Sequence, residues 1–298
     1  MTTAMVLSGG GNYGPLQAGA VQALFEKNVR PDVLVGVSAG ALNAAWIASH
    51  PDMQGVQQLQ KLWRTYAPNI FEKMNPVDVL FRLARKKDSL VSHGKMYRVL
   101  SSLSESQGTF SRFTSPRLYM LAARLSDGQP KVFGDNPSDR LIDGMMASSA
   151  IPPILPPWLV DGVPYVDGGI ICNLPITLAI ERGADEIYVL DIEHTDQSAG
   201  APVPTGTLGI ASRVIYSFLD RFELLEERAS RAKPVRLHMI KLFADRDPGF
   251  WNFSHADELI ATGYRETQEY LNGHAEIDIR NPVSEELAEL CAMPACSQ

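Results

Sequence analysis

Ser38 lies in the pentapeptide Gly36–Gly40, which has the form G-x-S-x-G. The apolar run Val33–Val35 precedes this pentapeptide, and the stretch Ala41–Ala48, rich in good helix formers, follows it. A serine at a strand-to-helix change, flanked by two glycines, is typical of a nucleophile elbow, a sharp turn that exposes a reactive hydroxyl. The short motif also occurs by chance, so this context is what makes Ser38 a candidate nucleophile.

The position of Ser38 in the chain limits the class of hydrolase. Only one strand, Ala4–Leu7, and one helix, Pro15–Lys27, are predicted before it. In an ordinary α/β-hydrolase several strands precede the elbow, and a histidine late in the chain completes a triad. We therefore expect an α/β fold of a different topology.

A glycine-rich loop, Ser8–Gly14, follows the first predicted strand and opens the first predicted helix. Three uses fit such a loop: a phosphate cradle, an oxyanion hole or a plain structural turn. A dinucleotide site needs an acidic residue at the end of the next strand, where this chain has Ser38. We favour an oxyanion hole, because this loop and the Ser38 turn would lie at the same edge of a parallel sheet.

Asp167 is the candidate base for an activated serine. It follows a predicted hairpin over residues 160–166 and opens the tripeptide Asp167–Gly169. Asp-Gly-Gly alone is more often a turn, but the two earlier motifs favour a catalytic carboxylate here. None of the six histidines lies in a comparable motif (His50, His93, His194, His238, His255 and His274).

Together these motifs resemble the patatin-like phospholipases, which are lipid acyl hydrolases with a Ser–Asp dyad. The segments Ala147–Pro153, Asn173–Pro175 and Gly263–Tyr264 also match that family, and the resemblance covers about residues 4–272. It implies a three-layer α/β sandwich with a mostly parallel central sheet covered by helices. It also implies catalysis without a metal or cofactor, with Ser38 as nucleophile and Asp167 as base. The implied oxyanion hole is formed by Gly9, Gly10, Gly11 and Asn12.

One position departs from the family pattern. Many members carry Arg or Lys after the glycines, whereas this chain has Tyr13. Backbone groups form the oxyanion hole, so we expect it to persist. The departure puts in doubt only the contact that such a cation would make with a lipid headgroup.

Composition sets the remaining limits. The chain has 298 residues, of which 45% are hydrophobic, enough for one large α/β core. We expect a catalytic domain over residues 1–275, with a helical insertion at about 52–111, and a tail over 276–298. The net charge of −7 argues against nucleic-acid binding. Three irregularly spaced cysteines, with neither a signal peptide nor a membrane span, favour a cytoplasmic protein.

The expected partner is a lipid or ester substrate, and several alternatives stay open. Residues 77–87 combine apolar and basic side chains at helical spacing, which fits a membrane-surface helix or an ordinary packed helix. A Ser–His–Asp esterase using His255 or His194 is one alternative function. A non-catalytic lipid-binding or regulatory protein with the same fold is another. The sequence does not define the oligomeric state.

Overall fold

The computed structural model describes residues 1–70, 87–103, 108–193, 221–231, 233–244 and 252–273, together with residues 81, 84, 85 and 210. The strands are β1 (Thr3–Leu7), β2 (Val33–Gly36), β3 (Arg117–Arg124), β4 (Pro130–Phe133), β5 (Trp158–Val160), β6 (Val163–Asp167), β7 (Glu186–Glu193) and β8 (Arg236–Phe243). The helices are α1 (Gly14–Glu26), α2 (Ala39–Ser49), α3 (Met53–Thr65), α4 (Ala67–Ile70), α5 (Gly94–Ser102), α6 (Leu141–Ser148), α7 (Ile176–Glu181), α8 (residues 221–231) and α9 (Ala256–Gly273).

These strands form one mixed sheet. They pair in the order β5-β6-β3-β2-β1-β7-β8, and β4 also pairs with β3. The central pairs from β3 through β2, β1 and β7 to β8 are parallel, whereas β4, β5 and β6 run antiparallel to their neighbours. β8 lies at one edge of this sheet.

Alternate residues of the central strands feed two separate apolar cores. Met5 and Leu7 of β1 join α1, α2, α3 and α6 on one face of the sheet. Ala4 and Val6 face the opposite way and pack with α7. Side chains of a strand alternate between faces, so each central strand is covered on both sides. The predicted three-layer α/β sandwich is confirmed.

The region after α2 contributes to the main core. Asp52 caps the start of α3 by accepting the N–H of Gly55 at 2.7 Å, and Val56, Leu59 and Trp63 then face inward. The division into domain, insertion and tail stays a prediction, and residues 276–298 lie outside the described residues. In the part of the chain that the structure describes, no helix is long and apolar enough to span a membrane.

Candidate active site

Ser38 occupies a strained backbone turn between β2 and α2. Its φ of 54° and ψ of −123° lie in a region that residues with side chains rarely adopt. A Cβ on Gly36 would lie 2.5 Å from the carbonyl oxygen of Gly40, and one on Gly40 would collide with the carbonyl oxygen of Leu7. Both flanking positions therefore need glycine, because neighbouring backbone atoms leave no room for a side chain. The predicted strand–turn–helix geometry is present, and Ser38 is partly exposed.

Ser148, at the end of α6, fixes this turn. Its hydroxyl accepts the backbone N–H of Ser38 at 3.0 Å and donates to the carbonyl of Leu121 in β3 at 2.7 Å. The neighbouring Ser149 donates to the carbonyl of Ser38 over a longer 3.4 Å. The sequence linked this serine pair to the site only through its resemblance to a family segment. The structure shows that the pair positions the backbone of the elbow.

Pairing along β3 brings Asp167 to Ser38. β2 pairs with the first half of β3, and β6 pairs with its last residues in the opposite direction. β4 pairs with Met120–Ala123, which include residues that also pair with β2 and with β6, so β4 must occupy the other edge and β2 and β6 share one edge of β3. β2 leaves that edge after Gly36, and β6 ends there at Asp167. The turn carrying Ser38 therefore meets the end of β6 beside Leu121.

The carboxyl group of Asp167 is almost fully buried, with 3% of the residue exposed. Its Oδ1 accepts the N–H of Gly169 at 2.8 Å. The hydroxyl of Ser38 lies close enough to donate a hydrogen bond to this carboxyl group. The second carboxylate oxygen, Oδ2, makes no hydrogen bond of good geometry. Burial raises the pKa of Asp167 to about 6, against the lowering effects of Ser38 and Gly169. Contacts of this kind are often loose before a substrate binds.

The glycine-rich loop lies directly against Ser38. A Cβ on Gly9 would be 3.2 Å from Cβ of Ser38. The Gly9 N–H donates to Oδ1 of Asn173 at 3.0 Å, and Nδ2 of Asn173 donates to Glu223 in α8 at 2.8 Å. The Gly9 amide is therefore already occupied, which was not evident from the sequence. Asn173 was recognised in the sequence only as part of a family segment.

The rest of this loop forms the entry to α1. Gly10 leaves room for Ile192, since a Cβ there would lie 2.7 Å from Cδ1 of that side chain. Gly11 is exposed, has a φ of 54° and begins a 3-10 turn over Gly11–Tyr13. Asn12 is buried, and its Nδ2 donates to the carbonyl of Asn252 at 3.1 Å.

A buried polar network supports the loop from beneath. Ser8 donates through its hydroxyl to the carbonyl of Leu190 at 3.2 Å, and Nε2 of Gln17 donates to the carbonyl of Ser8 at 2.9 Å. Nδ2 of Asn43 donates to Gln17 at 2.9 Å, and the indole N–H of Trp63 donates to Oδ1 of Asn43 at 2.8 Å. The network joins α1, α2 and α3 to the sheet beneath the loop. Nothing in the local sequence pattern indicated it.

The model of the patatin-like phospholipase family matches residues 5–180, which is more than half of the chain and includes the elbow, the loop and Asp167. The chain belongs to the patatin-like phospholipase family.

Individual relatives are distant and much longer. Lysophospholipase nte1 of Aspergillus terreus is 25% identical over 308 residues, which cover 90% of this chain and 18% of that protein. Human patatin-like phospholipase domain-containing protein 6 is 24% identical over 198 residues, which cover 66% of this chain and 14% of that protein. The chain thus spans less than a fifth of the length of these relatives. VipD from Legionella pneumophila has a similar fold, with a TM-score of 0.50 at 16% identity, covering 92% of this chain and 67% of that one.

Tyr13, where many patatin-like chains have a cation, points into the protein. It is 6% exposed and belongs to the main apolar core, beside a tightly packed first turn of α1. A Cβ on the adjacent Gly14 would clash with the ring of Trp63. Glycine at position 14 thus lets the start of α1 pack closely against Trp63 of α3.

An apolar cavity of about 90 Å³ begins at Leu42, one helical turn from Ser38 along α2. Leu42 and Trp46 of α2 and Met145 of α6 line it, and both helices lead from it to the elbow, since α2 starts after Ser38 and α6 ends at Ser148. The other lining residues are Asn43, Ala45, Leu59, Leu62, Trp63, Tyr66, Ala67, Val99, Leu100, Leu103 and Leu141.

The alternative candidates are placed differently. The ring of His255 lies 3.3 Å from a carboxylate oxygen of Glu258, one turn along α9, and His194 lies outside the described residues. Among the described residues no histidine contributes to the pKa shift of Asp167, and no cluster of His, Cys, Asp or Glu could hold a metal ion. The amphipathic stretch 77–87 is mostly outside the described residues.

Proposed function

We propose that this chain is a lipid acyl hydrolase that cleaves carboxylic esters through a Ser38 acyl-enzyme, with Asp167 as the base and without a metal or cofactor. The observation that carries the proposal is the buried carboxyl of Asp167, whose pKa is raised to about 6, beside the elbow serine. A carboxylate with this pKa is a stronger base than an exposed aspartate. It is still mostly ionised at neutral pH.

In the proposed reaction, Oγ of Ser38 attacks the ester carbonyl while Asp167 takes the hydroxyl proton. Asp167 then returns that proton to the leaving alcohol, and a water molecule hydrolyses the acyl-enzyme. Backbone N–H groups of Gly10, Gly11 and Asn12 are the proposed donors to the oxyanion, because the Gly9 amide is bonded to Asn173. The N-terminus of α2 adds a favourable dipole. One such donor is typically worth about 3 kcal/mol.

The apolar cavity supports a lipid substrate over a small polar ester. It begins where α2 and α6 approach the elbow, and its walls are almost entirely hydrocarbon. Ser38 and Asp167 are not among its lining residues, so an acyl chain attached to Ser38 would have to extend along α2 past Leu42 to enter it. The names of the relatives, among them a lysophospholipase, support the same substrate class.

The test is labelling with a fluorophosphonate probe, combined with hydrolysis of phospholipids, lysophospholipids, neutral glycerides and p-nitrophenyl esters of increasing chain length. We expect labelling and turnover in the wild type, and neither in Ser38→Ala. Asp167→Asn should be nearly as inactive, whereas His255→Ala should remain active. If a folded wild type neither reacts with the probe nor hydrolyses any ester, the chain is a non-catalytic member of the family. A His255→Ala variant that loses about a thousandfold in kcat/KM would favour a triad instead.

A further inference from the structure

The outward face of α8 is apolar and basic. At 100° per residue, Arg221, Phe222, Leu225, Arg228 and Ala229 share one side of this helix, and all five are exposed. Phe222 is 46% exposed and Leu225 is 47% exposed. Single exposed apolar residues are ordinary, but two adjacent on one helix face between two arginines form a defined patch.

Glu223, Glu226 and Ser230 of α8 face the protein instead. Glu223 accepts a hydrogen bond from Asn173 at 2.8 Å, and Glu226 accepts one from the backbone N–H of Thr177 at 2.6 Å. Ser230, on the same side, is completely buried. This helix therefore directs Glu223 and Glu226 into the protein and Phe222 and Leu225 outward, with Leu224 half-buried, which differs from an ordinary surface helix.

We propose that the outer face of α8, formed by Arg221, Phe222, Leu225 and Arg228, docks on an anionic lipid surface. Phenylalanine and leucine between arginines match the apolar and charged layers of such a surface. The whole chain carries a net charge of −7, so its attraction to anionic lipid must come from a local patch of this kind.

The location of α8 relates this patch to the candidate site. Glu223 bonds Asn173, and Asn173 bonds Gly9 beside Ser38, so the inner face of α8 is two hydrogen bonds from the glycine-rich loop. Ile170, which lies between Asp167 and Asn173 in the sequence, is also exposed. A lipid surface under the outer face of α8 would thus be separated from the glycine-rich loop by the width of this one helix. In its choice of a lipid surface this inference rests on the proposed function.

Flotation with phosphatidylcholine vesicles, with and without phosphatidylglycerol, tests the proposal. The double variant Phe222→Ser with Leu225→Ser should lose more than about tenfold in vesicle binding. Replacing each arginine with glutamine should weaken binding by about fivefold, and only to the anionic vesicles. Leu159→Ser, which removes an exposed leucine from the distant edge strand β5, is the matched control and should bind normally.

Turnover of a water-soluble ester keeps this test separate from the proposed function. The α8 variants should retain the wild-type rate on that ester, because their altered side chains point away from the site. Wild-type vesicle binding in the double variant, or an equal loss in Leu159→Ser, would overturn the docking proposal. An inactive wild type that still binds anionic vesicles through α8 would overturn only the enzymatic proposal.

Discussion

The hydroxyl of Ser148 accepts the backbone N–H of Ser38 at 3.0 Å and donates to the carbonyl of Leu121 at 2.7 Å. One fully buried side chain thus joins the strained elbow to β3. Ser148→Ala leaves a backbone N–H and a carbonyl without these partners. We expect it to lower the free energy of unfolding by about 1–3 kcal/mol. It should also reduce kcat, because the elbow loses the contact that fixes its backbone.

Ser149→Ala is the matched control for this prediction. Its hydroxyl makes only a 3.4 Å contact to the carbonyl of Ser38, so the variant should lose less stability and less activity. Urea unfolding and turnover of a soluble ester measure the two effects. Equal losses in both variants would mean that the Ser148 bridge has no special role.

The pH dependence of turnover should report the raised pKa of Asp167. A base with a pKa of about 6 must be deprotonated to act, so kcat/KM should fall about tenfold per pH unit below about pH 6. An unperturbed aspartate would place this limb near pH 4. The profile is measured with an uncharged soluble ester, on the wild type and on His255→Ala. A limb that disappears in His255→Ala would identify the histidine, rather than Asp167, as its source.

The same shift predicts how stability changes with pH. The pKa of Asp167 is raised from 3.8 to about 6 in the folded state, so between these values the folded protein binds more protons than the unfolded chain. This group's contribution therefore falls as pH rises from about 4 to about 6, by about 3 kcal/mol. Asp167→Asn has no ionisable group at this position, so the variant should not show this loss of stability as the pH rises.

Parallel urea titrations of both proteins at pH 4, 5, 6 and 7 check this effect. The stability of Asp167→Asn relative to the wild type should increase by about 3 kcal/mol over that range and level off near neutrality. A constant difference between the two proteins would show that burial does not destabilise the charged form of Asp167.

Local spacing was enough to predict the parts of the site that depend on neighbouring residues. The change from strand to helix at Ser38 and the hairpin before Asp167 are short-range patterns, and both occur in the structure. The sequence also indicated that parallel strands would bring the glycine-rich loop and the elbow to one edge of the sheet. Gly9 and Ser38 do lie in contact distance there.

The features that escaped prediction depend on contacts between residues far apart in the chain. Ser148 meets Ser38 across 110 positions, and Asn173 meets Gly9 across 164 positions. The burial that raises the pKa of Asp167 arises because β2 and β6 share one edge of β3, which no local pattern encodes. The outer face of α8 could not be identified either, because hydrophobic periodicity places apolar residues inside and this helix has Phe222 and Leu225 outside.

Tyr13→Arg should mainly destabilise the protein. The side chain is 6% exposed in the main core, and a guanidinium placed there would lose its hydration among apolar side chains. We expect a loss of several kcal/mol in the free energy of unfolding, with Tyr13→Phe much closer to the wild type. If the Arg variant instead folds normally and improves turnover of anionic phospholipids relative to neutral esters, the side chain at this position reaches the headgroup.

Glu223 should control the orientation of the Asn173 amide. Its carboxylate can only accept, so it holds Nδ2 of Asn173 at 2.8 Å and leaves Oδ1 to accept the N–H of Gly9. In Glu223→Leu only the longer 3.4 Å contact from Nδ2 to the Gly9 carbonyl opposes a flip of this amide, which would present NH₂ to the Gly9 N–H. The loop beside Ser38 would then lose its anchor, and we expect about a tenfold fall in kcat with little change in KM.

Two variants separate this positioning effect from a general loss of stability. Glu223→Gln keeps a carbonyl that can accept from Asn173, so it should restore most of the kcat that Glu223→Leu loses. It also removes the charge near the buried Asp191, and so controls for that electrostatic change. Glu226→Ala breaks the contact of α8 with the N–H of Thr177 and leaves Asn173 untouched, so it should lower stability while kcat remains near the wild-type value. If Glu226→Ala reduces kcat as much as Glu223→Leu does, α8 supports the site only by its packing, and the Glu223–Asn173 hydrogen bond does not position the loop.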